Sequence, residues 1–409
     1  MTVSSPIVKI ISSKVSDSFY VVSGSKILLK SAESEGFEVA FAHPEGKKWS
    51  SVAAVCEDET LMSICDCEKN LFLLEISGPF KLVSIPMHLA KTATSVKFTD
   101  FPCEKTLLVA DKFGDVLRFQ MGEEFDRWAR ESRKDSKSLS IHTKRGVKRT
   151  AEEAEAEIEP TEETEATEEQ DGGSEAHHCT IIGHISMVTD LQVLPLKSLP
   201  SGLIVTCDRD EKVRLTRADQ PERIHSFGLA HREFVGTLAV CEASKRVYSA
   251  GGDKFVAEWQ IEGENDEKLA LKNKISIELD VATVQEVKIS SDGLVLLVHV
   301  DKFGLLRFEK DSDASEWSLK DKIQLAGVTA FDCTKDNGVI AALWSPETGV
   351  SFDGNLNISN FGSFDQISPE EGNETINLLS KSKLKKDVER MDWKQKKHAN
   401  QKQPKSEEQ

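Results

Sequence analysis

The residues best placed to do chemistry lie in one short run, TCDRDEKVRLTR, from Thr206 to Arg217. Arg209, Asp210, Glu211, Lys212 and Arg214 crowd bases and acids together. That mixture suits ion pairing or capture of a charged partner better than bond-making. The run reads as a strand, so Val213 and Leu215 share one face while Lys212 and Arg214 share the other. The two cations then either pair with a neighbouring sheet or meet acidic groups on a partner, with Asp210 and Glu211 holding them oriented. A second group, His177, His178, Cys179 and His184, carries metal-ligating side chains. It lacks a further ligand pair at zinc-site spacing, and no metal is expected. The eight cysteines form no CxxC pair and read as reduced, mostly buried thiols. No G-x-S-x-G elbow, H-E-x-x-H helix, P-loop or G-x-G-x-x-G turn is present. Gly251-Gly252-Asp253 reads as a tight turn between strands. The pattern points to a binding platform without catalytic residues.

The elements that must position these residues are short strands. One pattern recurs: a turn rich in Gly, Asp or Lys, then an apolar strand beginning at Ile27, Leu71, Val116, Val213, Val256, Leu305 and Leu356. The gaps are about 44, 45, 97, 43, 49 and 51 residues. A period near 40–50 marks a β-propeller, and the doubled gap marks an insertion. The expectation is an all-β, seven-bladed WD-repeat propeller over residues 1–376. Its first strand is expected to complete the last blade. Residues 126–178 form the insertion, basic through KRGVKR and then strongly acidic, a composition that predicts disorder. Residues 377–409 form a basic tail, disordered or a short helix.

WD repeats join a His, a Ser or Thr, a turn Asp and a Trp by hydrogen bonds. The order His231, Ser249, Asp253, Trp259 fits this well. In the preceding unit the places fall to His184, Thr206, Asp210 and Thr216, with no Trp. These histidines read as parts of the scaffold rather than as general bases.

ADKFGDVLRF, GHISMVTDL, DRDEKVRLTR and HREFVGTL with YSAGGDKFVAEW span Leu107–Trp259 apart from the insertion. Together they resemble the WD-repeat, non-catalytic subunit of the eukaryotic tRNA (guanine-N7-)-methyltransferase complex. The resemblance implies that S-adenosylmethionine and the catalytic residues belong to a separate methyltransferase subunit, so this chain needs no cofactor. It also implies that the propeller forms a heterodimer with that subunit and supports 7-methylguanosine formation in the tRNA variable loop. Lys212 and Arg214, with Glu211 in support and Lys112 beside them, are the implied partner contacts. A generic WD scaffold, such as a ubiquitin-ligase adaptor or a chromatin-associated protein, is the alternative. The formal net charge of -17 lies largely in the acidic insertion. Local bases at Lys144, Arg145, Lys148 and Arg149, and at Lys385 and Lys386, are candidates for RNA contact or nuclear import. A nuclear location is expected, with no membrane span or signal peptide.

Overall fold

β-branched and aromatic residues fill pleated, half-buried surfaces well. The runs that carry them fold as antiparallel strands, closed by turns whose Asp side chains cap the backbone. The computed structural model describes residues 7–360, apart from 32–36, 103–104, 136–179, 264–267, 280–282, 325–327, 334–338, 344–348 and 353–357.

The first sheet comprises β1 (Ile7–Ser12), β2 (Phe19–Ser23), β3 (Lys26–Lys30) and β4 (Glu38–Ala42). Next come β5 (Trp49–Val55), β6 (Leu61–Asp66), β7 (Asn70–Glu75), β8 (Lys81–Leu82) and β9 (Met87–His88). The third holds β10 (Ala93–Thr99), β11 (Thr106–Asp111), β12 (Asp115–Phe119) and β13 (Thr180–Gly183), with helix α1 (Glu123–Asp135) between the last two. The fourth holds β14 (Val188–Leu196), β15 (Leu199–Asp208), β16 (Val213–Arg217) and β17 (Ser226–Gly228). The fifth holds β18 (Val235–Cys241), β19 (Arg246–Gly251), β20 (Phe255–Glu262) and β21 (Lys268–Ser276). Then follow β22 (Val284–Ile289), β23 (Val295–Val300), β24 (Gly304–Glu309) and β25 (Ser318–Gln324). The chain ends its strands with β26 (Val328–Cys333), β27 (Val339–Leu343), β28 (Gly349–Phe352) and β29 (Ile358–Asn360).

This is an all-β propeller. Six sheets have four strands in sequence order, and the sheet of β5–β9 has five. In that sheet β8 pairs with Leu74 and Glu75, whereas β9 pairs with Asn70 and Leu71. Residues of β1, β5, β10, β14, β18, β22 and β26 line a central cavity.

The core lies between facing sheets. Leu203, Val205, Val213 and Leu215 pack against Val235, Val247 and Trp259. Tyr248, Ala250 and Val256 meet Val287, Leu296 and Val298 at the next junction. Each buried aliphatic side chain contributes about 2 kcal/mol of transfer free energy, so the repeated junctions dominate stability. One junction is also charged. Arg246, Glu258 and Lys310 are all buried. Arg246 pairs with Glu258 and, at 2.8 Å, with Asp313. The Trp317 indole N–H donates to Glu258 at 3.2 Å, so the cluster ties β19 and β20 to the following sheet.

Two expectations need correction. The ring is not closed by the first strand entering the last sheet: β1 pairs with β2, and β26–β29 form their own sheet. The first and last sheets meet instead through side chains, Ile7, Ile10 and Phe19 against Ala330, Ile340 and Ala342. The Ser12 N–H also donates to Asp332 at 2.8 Å. The second correction concerns the insertion expected from residue 126. Residues up to Asp135 are helical, and Phe125 and Ala129 are buried in the core shared by β7, β10 and β11. Acids in the first turn, Glu123, Glu124 and Asp126, complement the positive end of the helix. Residues 136–178 of the expected insertion, and the tail after 376, lie outside the described residues.

Candidate partner-docking face

Three of the blade turns are built around an Asp that ends the second strand. Asp208 Oδ1 accepts from the backbone N–H of Asp210 at 2.9 Å and of Lys212 at 3.1 Å. Asp66 does the same for Glu68 and Asn70, both at 2.8 Å. Asp111 does so for Phe113 at 2.7 Å and Asp115 at 3.1 Å. This geometry drives the residue three places after the Asp into the left-handed region: Lys69 (φ 70°), Gly114 (φ 104°) and Glu211 (φ 72°). Only Gly114 avoids the Cβ cost, and a Cβ there would meet the His184 carbonyl oxygen at 2.4 Å.

The second oxygen of Asp208 receives the His184 ring, Nδ1 to Oδ2 at 3.1 Å, while His184 Nε2 lies 2.8 Å from Thr206 Oγ1. The turn aspartate of this unit is therefore Asp208, not Asp210. Asp210 lies two residues further along, exposed, where it accepts from Ser186 Oγ at 2.8 Å. In the next unit His231 Nδ1 lies 2.9 Å from Asp253 Oδ2 and Nε2 lies 2.8 Å from Ser249 Oγ. Trp259 Nε1 donates to the same Ser249 oxygen at 2.8 Å. One proton arrangement satisfies the whole chain: indole to hydroxyl, hydroxyl to Nε2, Nδ1–H to carboxylate.

Register explains what replaces the missing Trp. Trp259 faces Val247 across its sheet, and Thr216 faces Ile204 in the preceding one. Arg214 stands where the next sheet has Ala257, and its Nε donates to Thr216 Oγ1 at 2.9 Å. Its two terminal nitrogens donate to the carbonyls of Gly183 at 3.1 Å and Pro221 at 3.2 Å. Arg214 is only 4% exposed. Burial lowers its pKa, and its three acceptors are all neutral. The expectation that Arg214 is displayed to a partner is thus corrected: it locks β16 to the end of β13 and to the Pro221 turn.

Lys212 behaves differently. It is half-buried at the turn, and its Nζ donates only to the Asp210 carbonyl, at 3.3 Å. Arg209 pairs loosely with Asp210 at 3.6 Å, and Glu211 is exposed. Lys112 is exposed in the turn between β11 and β12. Because strands alternate in direction, turns between second and third strands share a rim with connections from one sheet to the next. The rim that carries Lys112 and Lys212 also carries three apolar side chains that sequence reasoning missed. Phe113 is 65% exposed, Leu229 71%, and Ile185 fully so. Lys91 Nζ sits 3.9 Å above the Phe113 ring. The readable signal was an apolar residue inside an otherwise polar turn, beside Lys112 in one case and beside His184 in another. Lys144, Arg145, Lys148, Arg149, Lys385 and Lys386 lie outside the described residues. Among the described residues, no group of three or more His, Cys, Asp or Glu is placed to hold a metal, and no helix is long and apolar enough to cross a membrane.

Comparison with known proteins decides the family. The model of the tRNA methyltransferase TRM82 WD40 domain matches residues 24–346. The chain belongs to this family. TRM82-type relatives include a tRNA (guanine-N(7)-)-methyltransferase non-catalytic subunit trm82 of Aspergillus clavatus, 27% identical over 72% of this chain and 62% of its own. The non-catalytic subunit wuho of Drosophila yakuba is 37% identical over 34% of this chain and 31% of its own. That of Drosophila melanogaster is 36% identical over the same share of this chain. The match thus spans about a third of the fly relatives' length and 62% of the fungal one's. The TRM82 match extends over all the sheets that carry the rim described above. A chain in the crystal structure of the mitotic checkpoint complex covers 84% of this chain, with a TM-score of 0.55 at 12% identity, and shares the fold alone.

Proposed function

We propose that this protein is the non-catalytic subunit of a tRNA (guanine-N7-)-methyltransferase complex. It binds and steadies a separate catalytic subunit, which carries S-adenosylmethionine, and so supports 7-methylguanosine formation in tRNA. The family match over residues 24–346 carries the reading. The rim around Lys212 and Lys112 is the proposed docking face: cations for the partner's acids, with Phe113, Ile185 and Leu229 as apolar anchors and Glu211 beside them. Arg214 acts as a positioning residue for that turn. The ring is read as seven blades, because β8 and β9 lie along one edge of β7 like a broken outer strand. A nuclear site of action goes with this reading.

Co-expression with a candidate methyltransferase tests it. Methylation of tRNA is expected only with both chains present, and the purified propeller alone is expected to show none. Lys212→Glu is expected to weaken co-purification at least tenfold while the melting temperature of the isolated chain stays within a degree or two, since surface changes of this kind alter stability by about 0.5 kcal/mol or less. Undiminished co-purification, or methylation by the lone chain, would overturn the proposal. Recovery of a ubiquitin-ligase or chromatin assembly without a tRNA methyltransferase would favour the scaffold alternative.

A further inference from the structure

The inner strands of the ring enclose a polar cavity of about 320 Å³, far above the roughly 15 Å³ that a single water requires. Its charged groups are unevenly matched. Glu286 takes Lys9 at 3.2 Å and Lys288 at 3.4 Å. Lys288 also reaches Asp332 at 3.1 Å. Asp190 accepts from Ser95 Oγ at 3.0 Å and from the backbone N–H groups of Leu191 at 2.8 Å and Leu238 at 2.9 Å. The third acid at the cavity wall is Asp301, whose pKa burial raises.

Lys97 is the exception. It lines the cavity from the middle of β10, and its side-chain amine has no hydrogen-bond or ion-pair partner among the described residues. Three residues earlier on the same strand, Thr94 also lines the cavity, and its buried hydroxyl has no partner either. The buried Thr94 hydroxyl is costly while it stays unpaired, and a ligand bearing acceptor oxygens would satisfy it together with the half-buried Lys97 ammonium. Asp190 and Glu286 are already engaged, and among the described residues no carboxylate lies within ion-pair distance of the Lys97 amine.

We propose that this axial cavity is a binding site for a small oxyanion, held by the Lys97 ammonium and the Thr94 hydroxyl. Phosphate and polycarboxylate present the same acceptor chemistry. The inference is independent of the docking reading, since Lys97 faces the ring axis and not the rim. Burial lowers the Lys97 pKa to about 8, and an anion beside the amine would raise it again.

The test uses the full chain at pH 7, with inorganic phosphate and citrate titrated separately against chloride at matched ionic strength. Saturable calorimetric binding and a rise in melting temperature are expected for one of the two oxyanions and not for chloride; which one succeeds identifies the class. Lys97→Met is expected to weaken binding roughly tenfold or more, as for loss of a charge-assisted hydrogen bond. Thr94→Val is expected to weaken it less. Lys320→Met, on the outer strand β25, is expected to change nothing. A second measurement needs no variant: the oxyanion should slow acetylation of Lys97 relative to Lys320, read by peptide mass spectrometry. Equal response to chloride, or binding unchanged in Lys97→Met, or equal acetylation with and without oxyanion, would sink the proposal.

Discussion

Lys212 and Arg214 share one strand face yet have opposite fates, and the difference lies in what surrounds each. Lys212 closes a turn and holds a single backbone carbonyl, at 3.3 Å. Arg214 lies one residue pair deeper, where blades cover both faces, and is satisfied by three internal acceptors. Alternation identified the shared face but could not tell rim from interior, because a propeller strand has no solvent-facing side along most of its length. The Asp208–Asp210 confusion has a related origin: spacing alone offers two acids, and only the capping of N–H groups two and four residues on selects the first. Replacing Arg214 by Ala leaves the Gly183 and Pro221 carbonyls without their donors. We expect a loss of about 2–3 kcal/mol, measured by urea unfolding of the isolated chain, together with weaker partner binding. Lys97 gives a pH signature at the same scale. Its amine is influenced by Asp190 and Glu286, which favour the charged form, and by Lys9 and Lys288, which oppose it; His299 and Asp301 also line the cavity. With its pKa lowered from 10.5 to about 8, the native state gives up its proton earlier than the unfolded chain does. Wild-type stability should therefore rise relative to Lys97→Met as pH increases from 8 to 10.5, and below pH 8 the Met variant should be the more stable of the two. Chemical denaturation across that range in anion-free buffer checks the sign.

At the level of elements, the turn-strand period revealed the sheets and their order, because each repeat must bury both faces and so carries dense apolar runs. The helix α1 escaped notice for a different reason. Its residues, EEFDRWARESRKD, are mostly charged, so composition merged them with the basic stretch of the insertion that follows. The periodicity was nevertheless present: Phe125, Trp128, Ala129 and Ser132 fall at the i, i+3, i+4, i+7 spacing of one helix face. That face docks, with Phe125 and Ala129 buried and Ser132 Oγ accepting from the His88 N–H at 3.0 Å. The contact to His88 fixes β9, the short strand that follows Pro86 in the five-stranded sheet. Phe125→Ala should cost about 3 kcal/mol of local stability through the cavity it leaves. Hydrogen exchange should quicken over 123–135 and 87–89 while β18–β21 remain protected. Uniform loss of protection would show instead that the helix belongs to the global folding unit.

For the whole molecule, closure is the physical problem that the repeat pattern leaves open. A ring closed by strand exchange gains a row of backbone hydrogen bonds between the chain's two ends. Here the first and last sheets are each built from consecutive strands, so the junction depends on side chains. The apolar contact of Ile7, Ile10 and Phe19 with Ala330, Ile340 and Ala342 supplies the bulk. Direction comes from Asp332, which accepts the Ser12 N–H at 2.8 Å and pairs with Lys288 at 3.1 Å, binding three sheets at one point. Asp332→Ala removes both acceptors, leaving Lys288 with Glu286 alone and the Ser12 N–H unpaired. The expected cost is about 2–3 kcal/mol, concentrated where the ring joins. Exchange should accelerate in β1–β3 and in β26–β27, with little change in β14–β21 on the far side. Because the central cavity needs all seven inner strands in place, oxyanion binding should weaken in the same variant even though Asp332 does not itself reach Lys97. An Asp332→Ala protein whose exchange is unaltered at the junction would mean that apolar packing alone closes the ring.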